Sequence, residues 1–206
     1  MTHKVHRFTG NECVASETPS PPQATVLDFW QWAFSDLRAN DVRGVFAEWL
    51  VAKLLDIDLS TCVRDSWGGC DLATSEGIRI EVKTSAYLQA WQQKRPSQIS
   101  FGRLKGRRWD PMKGYAPEAT LNADFYVFCI QTEQDAARWD ALDLEQWRFV
   151  LLTREQVGEL GGKSVSLPRL LRASTGLLTA AQFRSAAKDT LAAVASRMQR
   201  PDRSGE

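Results

Sequence analysis

The segment at residues 123–131 constrains the fold more than any other part of the chain. It reads ADFYVFCIQ, a nearly continuous run of apolar residues that favour β-strands. A strand of this kind has no polar face, so neighbouring elements must cover both of its sides. A second run, WRFVLL at residues 147–152, has the same character. We therefore predict that the first run is a buried central strand and the second is another strand of the core.

Segments with helical periodicity precede and follow these strands in the sequence. Apolar spacing predicts helices at residues 26–40 and 42–55, and a last helix that begins after Thr179. Thr153 is predicted to cap the start of a short helix that ends at Gly161. The order of elements indicates a small α/β domain. Short strands are predicted at residues 62–65, 98–101 and 164–167, residues 84–95 fit either helix or loop, and residues 102–118 are predicted to be irregular.

Length and composition fit a single domain. The chain has 206 residues, of which 43% are hydrophobic and 25% charged, which excludes wholesale disorder, collagen and coiled coil. The Pro-rich cluster TPSPPQ at residues 18–23 interrupts helical pattern. We predict a disordered or extended N-terminal tail at residues 1–23, one domain at residues 24–199 and a frayed tail at residues 200–206.

Composition also narrows the chemistry. The only histidines, His3 and His6, lie in the predicted tail, and the four cysteines form no CxxC pair, which argues against structural zinc. Catalysis would then depend on carboxylates, lysines, hydroxyls or a bound metal. Free thiols, no secretory signal and no long apolar run predict a cytoplasmic protein without a membrane partner.

The segment IRIEVKTS at residues 78–85 places a carboxylate and an ammonium on one side of a strand. With a period of two, Ile80 and Val82 point to an apolar face, while Glu81 and Lys83 point to the other. Residues 70–74 and 78–83 then form a β-hairpin around Ser75-Glu76-Gly77.

The parity of this hairpin predicts its register. A three-residue loop pairs Leu72 with Ile80 and Asp71 with Glu81, whereas a two-residue loop would send Asp71 into the apolar face. Two carboxylates about 5 Å apart repel unless a cation lies between them. Mg²⁺ or Mn²⁺, with water in the remaining positions, suits such oxygen ligands. The competing interpretation is a solvated sheet face in which Lys83 pairs with an acid.

GCDL at residues 69–72 followed by IRIEVKTS resembles the PD-(D/E)xK nuclease superfamily. The upstream helix RGVFAEWLVAKLL, which carries Glu48, resembles the first core helix of many members, and the resemblance extends from residue 40 to about residue 155. The proline that often precedes the first acid is Cys70 here. The resemblance implies a restriction-endonuclease-like fold, a mixed central β-sheet flanked by α-helices.

The resemblance also implies residue roles. Asp71 and Glu81 would ligate Mg²⁺ together with the carbonyl of Val82, and Mn²⁺ could substitute. Lys83 would orient or activate the attacking water, or stabilise charge on the phosphate. Glu48 would hold the metal directly or through water, although an acid on an amphipathic helix is as often simply solvated.

A basic segment provides a second signal. Between Trp91 and Tyr115 there are seven positive residues and only one acid, Asp110. Such a cluster predicts phosphate contacts and a DNA partner, against the alternative of a solvated loop. Most of the eight tryptophans are expected in the core, and Trp67 and Trp109 are the two considered for base stacking. The predicted DNA contacts are Arg103, Lys105, Arg107 and Arg108.

The leading interpretation is a Mg²⁺-dependent endonuclease that hydrolyses DNA phosphodiester bonds in restriction, defence or repair. The alternatives are an inactive DNA-binding subunit of the same fold and an interaction module with a chance motif. A homodimer is compatible with each of them.

Overall fold

The computed structural model describes residues 5–14, 23–110 and 112–198. Within these residues the chain is a mixed α/β protein, as predicted. None of the helices in the described part is long and apolar enough to cross a membrane. The helices are α1 (Val26–Phe34), α2 (Asn40–Leu54), α3 (Arg154–Leu160), α4 (Leu167–Arg172) and α5 (Ala180–Met198). The strands are β1 (Leu72–Ala73), β2 (Arg79–Ala86), β3 (Ser100–Gly102), β4 (Trp109–Asp110), β5 (Gly114–Tyr115), β6 (Phe125–Gln131), β7 (Trp147–Thr153) and β8 (Ser164–Ser166).

A four-stranded mixed sheet organises the molecule, in the order β1-β2-β6-β7. The pair β2–β6 is parallel, and the other two pairs are antiparallel. All seven residues of β6 are buried, which confirms the prediction of a buried central strand. Arg79 at the start of β2 donates to both oxygens of Asp124, at 2.5 and 3.0 Å, and so ties the hairpin to the entry of β6. Strands β3 and β8 form one small sheet, and β4 and β5 form another.

The two faces of the main sheet have separate cores. One face, with Ile80, Val82 and Val127, packs against α2 and α5. The other face, with Tyr126 and Phe128, packs against the β3–β8 sheet, α3 and α4. Both faces of β6 are therefore covered, as its uninterrupted apolar sequence requires.

Three local predictions were wrong. The first helix ends at Phe34, because Ser35 donates to the carbonyl of Gln31 at 2.5 Å and Asp36 accepts from the backbone N–H of Arg38 at 3.0 Å. Residues 62–65 form no strand. The segment at residues 102–118 is not irregular, since it contains the β4–β5 hairpin and a bridge between Gly106 and Thr120.

The tryptophans also depart from expectation. Only Trp147 is fully buried, whereas Trp32 and Trp91 are 85% and 57% exposed. Helix α1 has no buried residue at all. Tryptophan content alone therefore does not report the size of this core.

The described part of the predicted N-terminal tail contacts the start of α1. The backbone N–H of Val14 donates to the carbonyl of Ala24, and that of Leu27 to the carbonyl of Gly10. Residues 1–4 and 15–22 of that tail, and the predicted C-terminal tail at residues 200–206, lie outside the described residues.

Candidate active site and basic cleft

The hairpin has the predicted register. Leu72 lies opposite Ile80, and Ser75-Glu76-Gly77 forms the three-residue connection. Gly77 has φ of +81°, the left-handed conformation that this loop favours. Its N–H donates to the carbonyl of Thr74 at 3.0 Å.

This register brings three predicted site residues together. One carboxylate oxygen of Asp71 accepts a hydrogen bond from the backbone N–H of Val82 at 2.7 Å. The Lys83 Nζ lies 2.5 Å from Oε1 of Glu81. The side chains of Lys83 and Glu81 are only 20% and 19% exposed, so this face of β2 is not openly solvated. Their ion pair is the one that the competing interpretation expects, and the catalytic roles of both residues stay predictions.

Asp71 lies in surroundings that oppose its charge. Burial, followed by the charges of Glu81 and Glu48, raises the pKa of Asp71 to about 7. The Val82 N–H and the Lys83 ammonium act in the opposite direction but do not compensate. The ionised form of Asp71 is therefore disfavoured in this site, and a bound cation would favour it.

Glu48 is engaged by an arginine that sequence reasoning missed. Arg64 donates from Nε and Nη2 to the two carboxylate oxygens of Glu48, at 2.5 and 2.7 Å. Glu48 is 8% exposed and lines a second cavity of about 720 Å³ that shares Gly68–Asp71 with the site. Its role as a metal ligand stays a prediction, and Arg64 would compete with a metal for the two carboxylate oxygens.

The donor set suits a hard cation in part. Among residues 5–14, 23–110 and 112–198, no group of three or more His, Cys, Asp or Glu side chains is arranged to hold a metal ion. Mg²⁺, however, is commonly held by only one or two carboxylates and keeps several waters. Asp71 and Glu81 supply that number, and the proposed contribution of the Val82 carbonyl stays a prediction.

A cleft of about 570 Å³ joins this acidic face to the basic segment. Its lining includes the acid and lysine set, the preceding Trp67-Gly68-Gly69 turn, and the basic segment after β3. The four predicted DNA contacts are exposed, and in the described part of the chain they form no ion pair with a carboxylate within 4 Å. The cleft residues that carry charge are Asp71, Glu81, Lys83, Arg103, Lys105, Arg107 and Arg108.

The basic segment is held by an ordered framework. Leu104 is buried at 4% exposure in the core beside Phe101. Gly106 and Thr120 exchange backbone hydrogen bonds at 3.0 and 2.9 Å. Arg103 adopts a left-handed φ of +53°, a conformation that a side chain other than glycine seldom takes. The cations therefore project from a fixed chain path, because their neighbours are anchored.

Tyr115, Asn122 and Tyr126 also line the cleft, and the sequence alone did not single them out. Tyr126 lies opposite Glu81 in the parallel pair of β2 with β6. The sequence would have indicated this position only if the pairing of the two strands had been known. Burial raises the pKa of its hydroxyl, so Tyr126 is a neutral cleft residue.

No protein-family model and no curated protein matches this sequence.

Proposed function

We propose that this protein is a metal-dependent nuclease that hydrolyses DNA phosphodiester bonds, with the residue pattern of the PD-(D/E)xK superfamily and its restriction-endonuclease-like fold. One observation carries the proposal: a single cleft is lined by Asp71, Glu81 and Lys83 and also by four cations of the basic segment that have no ion pair among the described residues. Carboxylates and a lysine serve phosphodiester hydrolysis, and the cations serve phosphate binding.

Each residue has a role in the proposal. Asp71 and Glu81 hold a divalent cation, with the Val82 carbonyl and Glu48 as further ligands. Bound Mg²⁺, or Mn²⁺ in its place, lowers the pKa of a coordinated water and neutralises charge on the phosphate. Lys83 orients the attacking water or donates to the phosphate oxygens. Since a bound cation would compete with Lys83 for Glu81, Lys83 becomes free to face the substrate.

A non-catalytic DNA-binding module is the second candidate. The bidentate pair of Arg64 with Glu48 favours it, because both oxygens of one expected ligand are already engaged. The same cleft would then bind DNA without cutting it.

A cleavage assay tests the first candidate against the second. Plasmid and linear DNA, as well as single-stranded DNA, are incubated with the protein in Mg²⁺ and in EDTA. Glu81→Gln keeps the side-chain size but removes charge, and Lys83→Ala removes the ammonium. We expect cleavage in Mg²⁺ only, and a loss of at least about 100-fold in either variant.

Matched substitutions of exposed residues provide the controls. Glu159→Gln and Lys163→Ala make the same chemical changes outside the cleft and should leave cleavage unchanged. Binding without cleavage under every condition would select the second candidate. Wild-type turnover in Glu81→Gln would exclude this site as the nuclease centre.

The cellular location and the oligomeric state belong to the same proposal. Cys13, Cys62, Cys70 and Cys129 are free thiols, which supports a cytoplasmic protein. The homodimer stays a prediction that analytical ultracentrifugation would test.

A further inference from the structure

Three aromatic side chains on the cleft have no part in the proposed chemistry. Trp67, Trp109 and Tyr115 all line it, and they are 72%, 47% and 55% exposed. Large aromatic side chains exposed beside a basic surface are the usual means by which proteins bind unpaired bases.

Local contacts hold the turn that carries Trp67. The N–H of Trp67 donates to Oδ1 of Asp65 at 2.9 Å. The next residue, Gly68, lies so close to the chain that an added Cβ would be 3.2 Å from the Cys70 carbonyl oxygen. A tight turn therefore presents Trp67 at the cleft.

The other two aromatic residues support each other. Trp109 and Tyr115 lie opposite one another in the β4–β5 hairpin, and their rings meet edge to face with centroids 4.9 Å apart. The cleft thus carries aromatic surfaces from two separate segments of the chain, the turn before β1 and the β4–β5 hairpin.

The accessibility of base faces determines which nucleic acid could use these rings. The base faces of a duplex are stacked on each other and cannot stack on a protein ring, whereas those of a single strand can. The three rings are 72%, 47% and 55% exposed at the cleft, so unpaired bases can reach them.

We infer that the cleft binds single-stranded nucleic acid, with bases stacked on Trp67, Trp109 and Tyr115 and phosphates bound by the basic segment. The binding stands independently of the chemistry. Its extension, that the cleavage acts on unpaired strands, rests on the proposed nuclease function. DNA and RNA share the recognised chemistry of base faces and phosphates, so the experiment includes both.

Binding is measured by fluorescence anisotropy in EDTA, which prevents metal-dependent cleavage. The probes are labelled oligo(dT), oligo(rU) of the same length and a DNA duplex of the same length. We expect oligo(dT) to bind at least about tenfold more tightly than the duplex. Trp67→Ala, Trp109→Ala and Tyr115→Ala should each weaken oligo(dT) binding by between about 5-fold and about 150-fold, the value of one stacked base. The duplex affinity should change little.

Conservative and distant variants keep the test decisive. Trp67→Phe and Trp109→Phe should retain most of the affinity, which separates stacking from damage to the fold. Trp32→Ala and Trp91→Ala remove exposed tryptophans outside the cleft lining and should bind like the wild type. Equal affinity for duplex and single strand, or no effect of the three alanine variants, would overturn the inference.

A cleavage arm separates this inference from the proposed function. In Mg²⁺, circular single-stranded DNA should be cut faster than duplex plasmid. Tight single-strand binding with no cleavage of any DNA would refute the nuclease proposal and keep the binding site. Duplex cleavage as fast as single-strand cleavage would refute the substrate preference and keep the nuclease. The affinity for oligo(rU), compared with that for oligo(dT), then assigns the natural strand as RNA or DNA.

Discussion

The surroundings of Asp71 oppose its ionised form. Burial and the charges of Glu81 and Glu48 raise its pKa to about 7, against a value of about 4 in an unfolded chain. Between these two values the folded protein binds one more proton than the unfolded chain does. The free energy of unfolding must therefore fall as the pH rises through this interval.

The first prediction concerns this titration in EDTA. We expect the free energy of unfolding, measured by urea denaturation, to decrease between about pH 4 and about pH 7 by a few kcal/mol at most. Asp71→Asn should flatten this decrease and be more stable than the wild type at the higher pH, because the amide carries no charge. Asp189→Asn, an exposed change on α5, should keep the wild-type dependence. Equal pH dependence in Asp71→Asn and the wild type would contradict the assignment.

At the scale of elements, the β1–β2 hairpin determines which side chains share the site. Its three-residue connection leaves Asp71 on the same side as Glu81, and Gly77 accepts the positive φ that the connection needs. A side chain with a Cβ is disfavoured in that conformation by about 1–2 kcal/mol, except for asparagine, which adopts it more readily.

Glycine substitutions test the hairpin. Gly77→Ala should destabilise the protein by about 1 kcal/mol, and Gly77→Asn by less. Gly44→Ala is the matched control, because Gly44 lies inside α2 with ordinary φ and no atom within 4 Å of an added Cβ. It should stabilise by about 0.5–1 kcal/mol. Thermal or urea unfolding measures all three, and a neutral Gly77→Ala would show that the loop can change its conformation.

The elements that the sequence predicts well are those that local rules determine. The capping box at Thr153 and the buried strand β6 follow from neighbouring residues alone. The placement of Asp71 on the same side of the sheet as Glu81 follows from the odd length of the hairpin loop, because successive side chains of a strand point to alternate sides. The β4–β5 hairpin and the pairing of Arg64 with Glu48 do not follow from local rules. Short strands carry little pattern, and a bond between residues 16 positions apart depends on tertiary packing.

At the scale of the whole molecule, a net charge close to zero conceals a strong local separation of positive and negative side chains. The chain has 26 basic and 25 acidic residues, yet four cations of the basic segment line one cleft next to a carboxylate pair. Local potentials of this kind attract phosphates although the net charge is only +1.

Salt dependence tests that segment. Each neutralised phosphate contributes about 0.9 to the slope of log K against log salt on duplex DNA and about 0.7 on a single strand. Changing the four cations to Gln should therefore flatten the slope by up to about 3–4 on a duplex and about 3 on a single strand. Cleavage at saturating DNA should fall much less, because the carboxylates and Lys83 are unchanged. The substituted residues are Arg103, Lys105, Arg107 and Arg108.

A quadruple control removes the same charge elsewhere. Glutamine at exposed positions outside the cleft should leave the slope close to that of the wild type, since direct contacts determine counterion release. An unchanged slope in the cleft variant would show that these cations are solvated and that DNA takes another path. The control positions are Lys53, Lys163, Arg172 and Lys188.

The parallel pairing of β2 with β6 has a consequence for how the molecule assembles. The β1–β2 hairpin is local in sequence, whereas β6 reaches β2 only after the whole stretch at residues 87–124 has been traversed. Closing so long a loop costs conformational entropy before the contacts between the strands can offset that cost. We therefore expect this pairing to form late. Until then the carboxylates of the hairpin and the cations of the basic segment do not face each other across a cleft. A nascent or partly folded copy would therefore lack the assembled site, and any activity of that site would arise only when the fold is complete.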